Sequence, residues 1–128
     1  MESRMGRNHV PKKVRTLAKQ PRKRVEHDPH AHSKLVQKIL EHFVNRSDVL
    51  AWQNSTGFGF SPIGNPVKYG LVGSSDIFLV KEGGRIVFIE VKTGNSQLSP
   101  MQRHFMHKVC DLGCEYILAK KIEDVEHL

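Results

Sequence analysis

The sequence predicts an α/β domain whose elements run in the order αβββαβα, behind a basic arm. Three features carry that expectation. Residues 35–44 place apolar side chains at helical spacing, residues 76–92 form two apolar runs around a Gly-Gly turn, and residues 99–113 read as a capped helix with a glycine stop.

The first helix is predicted from about Ser33 to Asn45. Leu35, Val36, Ile39, Leu40, Phe43 and Val44 form its stripe, and Ser33 is the expected N-cap. A strand follows at about Val49 to Asn54. Residues 56–73 hold five glycines and two prolines, so the sequence predicts a long loop without regular structure. Phe58, Phe60, Lys68 and Tyr69 lie in it. Two uses stand level: stacking on bases and meeting phosphates, or closing the edge of the core.

Asp76 to Val80 and Arg85 to Lys92 are predicted to pair as a β-hairpin. They are apolar on both faces, which calls for cover on both sides and a central place in the sheet. Ser99 caps the second helix, Pro100 takes its first position, and Gly113 follows its end near Asp111. Cys114 to Ala119 reads as a further strand, and Ile122 to Leu128 as a short closing helix.

Charge divides the chain unevenly. Residues 1–28 hold nine Lys or Arg against three acids, while residues 29–128 hold eleven against ten. The arm cannot bury enough apolar surface to offset ordering, so it is predicted to be disordered when free. Its clusters Lys12-Lys13 and Arg22-Lys23-Arg24 suit a polyphosphate, because each neutralised phosphate releases a counterion. Residues 29–128 form the folded domain. No apolar run approaches a membrane span, no secretory leader is visible, and two cysteines make no disulfide framework, so a cytoplasmic setting is expected. The histidines of His27-Asp-Pro-His-Ala-His32 lack a thiolate partner and read as a solvated or DNA-proximal patch.

The chemistry concentrates in the hairpin. Glu90 and Lys92, two apart on one strand, share a face and continue the Ile86-Phe88 stripe. Such charges are rarely buried unless paired or liganded. A three-residue loop, Glu82-Gly83-Gly84, sets Lys81 opposite Arg85 and therefore Asp76 opposite Glu90. A two-residue loop would set Asp76 on the wrong face, so the chemistry requires an odd-numbered loop. Two carboxylates and a lysine at a strand end suit Mg²⁺, with Mn²⁺ as a substitute. The Val91 carbonyl is a further candidate ligand, and Lys92 is placed to orient water or meet a pentavalent phosphate. Asn54, at the end of a neighbouring strand, joins Lys68 and Tyr69 as a candidate DNA contact.

These residues carry a resemblance. Gly73-Ser-Ser-Asp76, thirteen intervening residues and Glu90-Val-Lys92 resemble the PD-(D/E)XK nuclease superfamily. Within it, Glu90-Val-Lys-Thr-Gly94 followed by Gln97-Leu-Ser-Pro-Met-Gln102 resembles the VRR-NUC family. The likeness covers about residues 30–128 and implies a restriction-endonuclease-like αβββαβ core with a mixed central sheet flanked by helices. It implies metal binding by Asp76 and Glu90 and catalytic roles for Lys92 and Gln102. Ser99-x-x-Gln102 also spells a capping box, which leaves a purely structural use for Gln102 open. Many members of the family carry a glutamate on the first helix; this stretch, His32 to Gln37, has none, so either that ligand is dispensable or His32, Ser33 or water takes its place.

The activity so implied is metal-dependent hydrolysis of DNA, selective for branched structures such as a four-way junction and carried out by a homodimer. A plain nicking nuclease and a non-catalytic DNA-binding module of the same fold are the alternatives.

Overall fold

The computed structural model describes residues 27–128, so the arm that carries Lys12, Lys13, Arg22, Lys23 and Arg24 lies outside the described residues. The elements are α1 (Ala31–Phe43), β1 (Val49–Gln53), β2 (Gly57–Phe60), β3 (Pro66–Tyr69), β4 (Ile77–Lys81), β5 (Arg85–Val91), α2 (Pro100–Asp111), β6 (Glu115–Ala119) and a one-turn 3₁₀ helix at Ile122–Asp124.

The main sheet has the order β1-β4-β5-β6. β1 and β5 run antiparallel to β4, while β6 runs parallel to β5, so the sheet is mixed. The parallel pair needs a crossover, and α2 supplies it. The hairpin is central, as predicted from its two apolar faces.

One face buries Ile77, Leu79, Val87, Ile89 and Val91 against Val36, Ile39 and Phe43 of α1, with Ala119, Val125 and Leu128 completing the core. The other face lies under α2 and is aromatic. Trp52, Phe78, Phe88, Phe105 and Tyr116 follow one another edge to face, with centroids 5.2–6.4 Å apart. Such contacts add to area burial and fix ring orientation, which seats α2 on the sheet. The stripe that Glu90 continues is therefore the less buried one: Ile86 is 41% exposed, whereas Val87 and Ile89 are fully buried.

Three sequence expectations change. Residues 56–73 are not free of regular structure, because β2 and β3 pair as a separate two-stranded sheet. The alternation Gly57-Phe58-Gly59-Phe60 is a strand pattern that the glycines disguised. The first helix starts at Ala31, and its N-cap is His30, not Ser33. Asp28 Oδ1 accepts the His30 amide and its carbonyl accepts the Ala31 amide, so the Asp28-Pro29 turn launches the helix early. The closing helix shrinks to a single 3₁₀ turn held by Asp124, whose carboxylate accepts the amides of Lys120 and Lys121. Among the described residues, no helix is long and apolar enough to cross a membrane.

Candidate catalytic site

The register decides the site. Lys81 pairs with Arg85, Phe78 with Phe88 and Ile77 with Ile89, around the three-residue loop Glu82-Gly83-Gly84. The next step outward sets Asp76 beside Glu90, on the face under α2. Asp76 Oδ2 accepts the Val91 amide at 2.8 Å, which ties the acid to the strand that carries Glu90.

Glu90 is 3% exposed. Its Oε1 accepts from Gln102 Nε2 at 2.8 Å and lies 3.5 Å from Lys92 Nζ. Its Oε2 is buried with no hydrogen-bond partner. Burial first, and the charge of Asp76 second, push its carboxyl up to about 7, although Lys92 and His32 oppose the rise. A buried carboxylate oxygen left without a donor costs free energy unless something absent from the protein completes it.

The Gln102 side chain makes two contacts at once. Its Oε1 accepts the Ser99 amide while its own amide donates to Ser99 Oγ, and both halves of the capping box are present. That leaves Nε2 to face Glu90. The cap therefore orients the carboxamide whose other end touches the acid.

Two supports hold Asp76 from behind. The Asn54 amide donates to the Asp76 carbonyl, and Asn54 Nδ2 donates to Ser74 Oγ and the Ser75 carbonyl. The carboxamide donor of Asn54 thus serves the segment that leads into Asp76. Ser75 is buried, its hydroxyl donating to the Ile77 carbonyl. Gly73 adopts φ +85°, and a Cβ there would stand 2.6 Å from the Met101 carbonyl oxygen. Only glycine lets the Asp76 segment meet the first turn of α2, the turn that ends in Gln102.

His32 belongs to this site. Its Nε2 lies 3.2 Å from Asp76 Oδ2, reaching across from the first turn of α1. The sequence leaves His32 as one of several candidates for the place of the missing first-helix glutamate. Lys68 and Tyr69 sit apart from this cluster, on β3 of the small sheet.

Among the described residues, no group of three or more His, Cys, Asp or Glu side chains is arranged to hold a metal ion. The donor set is leaner: two carboxylates, one of them with an orphaned buried oxygen. That fits Mg²⁺, which keeps several waters and takes one or two protein carboxylates plus phosphate oxygens.

The family model of the VRR-NUC domain matches residues 65–121, a span that contains Asp76, Glu90, Lys92 and Gln102. Over that span the chain is similar to the VRR-NUC domain. A solved structure described as a VRR_NUC domain is similar in fold, at 23% identity and a TM-score of 0.55, over 77% of this chain and 92% of that chain. No curated protein matches. Because α1 precedes the matched span, the VRR-NUC pattern there says nothing of His32.

Proposed function

We propose that this VRR-NUC-like domain is a metal-dependent endonuclease that hydrolyses phosphodiester bonds in branched DNA. One observation carries the reading: a buried glutamate with an unpaired oxygen stands between a lysine and the aspartate of the adjacent strand.

Asp76 and Glu90 would hold Mg²⁺ or Mn²⁺ through their carboxylates, with the Val91 carbonyl as a further ligand. The ion would lower the pKa of a bound water and neutralise charge on the phosphate. The chain's own groups do the rest. Gln102 fixes Glu90 Oε1, so Oε2 keeps one direction. Lys92, its side chain 14% exposed, presents an ammonium that neutralises the pentavalent phosphate or orients the attacking water. His32 steadies Asp76 through Oδ2, the oxygen that also accepts the Val91 amide. The basic arm supplies non-specific phosphate contacts through Lys12, Lys13, Arg22, Lys23 and Arg24. Two symmetric cuts across a four-way junction require two active sites, so the acting species is a homodimer with two-fold symmetry, working in a reducing cytosol.

The test is cleavage of junction, flap and linear duplex DNA with Mg²⁺ or Mn²⁺, with Lys92→Ala as control and light scattering to count subunits. Metal-dependent cutting of the junction by a dimer supports the proposal. Equal cutting of linear duplex leaves a plain nicking nuclease. Binding without cleavage of any substrate leaves a non-catalytic module.

A further inference from the structure

We propose that the β2–β3 hairpin is a stacking platform for an unpaired DNA strand beside the cleavage site. The placement beside a cutting centre rests on the nuclease reading; the binding itself does not.

The topology puts the hairpin at the right end of the molecule. β1 ends at Gln53, which faces Ile77, and β5 brings Ile89 to the same level. The chain therefore leaves the main sheet at the end that holds Asp76 and Glu90, forms the hairpin, and returns directly into Asp76. Its base is pinned where a Cβ on Gly70 would stand 2.6 Å from the Ser55 carbonyl oxygen.

The two faces of the hairpin differ. Phe58 pairs with Lys68 and Phe60 with Pro66, so two phenyl rings, a lysine and a proline share one face. Gly57 and Gly59 share the other, under Tyr69; a Cβ on Gly57 would stand 2.8 Å from the Tyr69 hydroxyl. The tyrosine ring thus takes the room that side chains would need, and the phenylalanines project the other way. Phe58 is 70% exposed and Phe60 79%. They do not close the core edge, which removes the alternative that the sequence left level.

Charge names the occupant. Across residues 54–75, Lys68 is the single charged residue and no acid is present. Its Nζ stands over the Phe58 ring, 5.4 Å from the centroid, so the exposed ring and a cation are presented together. Rings for bases with a cation for the linking phosphate are the elements of sequence-tolerant single-strand binding. A duplex hides its base faces, so the platform suits strands that are already unpaired, as at a branch point. A second copy of the chain is the rival occupant. A two-fold contact through this face would set Lys68 against its own counterpart with no acid in the stretch to offset it.

The test measures binding of a fluorescent dT oligomer of about sixteen nucleotides to the full chain in EDTA, so cleavage plays no part. Phe58→Ala and Phe60→Ala should each weaken binding about tenfold, and Phe60→Trp should restore it. Lys68→Ala should reduce the salt slope by about 0.7. Melting temperatures should stay unchanged, since both rings are exposed. Unchanged dT affinity in the folded double alanine variant overturns the proposal. So does a dimer that falls to monomer in that variant while dT binding persists. Failure of junction cleavage alone would count against the nuclease reading and leave this binding result standing.

Discussion

The two faces of the central hairpin share strands, register and neighbours, yet they do different work. Ile77, Leu79, Val87, Ile89 and Val91 turn toward α1 and are fully buried. Phe78, Phe88 and Glu90 turn toward α2, where an aromatic row gives way to a buried acid. Alternation along one strand lets a dry core hold still the backbone that presents the chemistry. The difference teaches how the labour is split: Ile89 and Val91, buried against the α1 side, anchor the strand, and Gln102 of α2 meets the Glu90 side chain that the strand presents.

Mutations that break the comparison should separate cleanly. Ile89→Ala opens a cavity in the α1 face and should cost about 2–5 kcal/mol of stability, measured by urea denaturation, whatever its effect on cutting. Lys92→Ala should lower the cleavage rate by about 10²–10³-fold with a melting temperature near that of the parent chain. If Lys92→Ala unfolds the protein instead, the α2 face is structural and the division fails. Ser99→Ala removes the hydroxyl that accepts the Gln102 amide and should cost about 1 kcal/mol. It should also lower activity, because the same cap orients Gln102 toward Glu90; unchanged kinetics would show that the cap and the acid are independent.

The smallest effect sharpens the picture through pH. The Glu90 carboxyl ordinarily ionises at 4.5 and is raised to about 7 by burial and by Asp76. The folded state therefore holds a proton that the unfolded chain has released. That proton's contribution to stability is complete below about 4.5 and lost as pH rises through about 7. In metal-free buffer, stability should fall across this window relative to Glu90→Gln, measured by denaturant titration at matched pH. A parallel pH dependence in the two proteins would mean that Glu90 is solvated.

Much of this was legible in the sequence, for identifiable reasons. The hairpin register followed from one glycine-rich loop, since a single odd or even count assigns every side chain to a face. The second helix announced itself through Ser99, Pro100 and Gln102, and it spans Pro100–Asp111. The β2–β3 pair was hidden because glycine disfavours strands and the pair has no buried face of its own to give an apolar pattern. The two contacts of Gln102 were hidden because spacing poses the cap and the Glu90 contact as rivals, whereas a carboxamide has two ends. His32 joins Asp76 across 44 positions of sequence, a distance that no local pattern spans.

The orphaned Glu90 oxygen can be questioned directly by calorimetric titration of Mn²⁺ into the metal-free protein, beside Glu90→Gln and Asp76→Asn. Saturable binding by the parent chain, lost in both variants while their folds persist, is the expected result. Equal binding by all three proteins, or none by the parent chain, would contradict a cation bridging these two carboxylates.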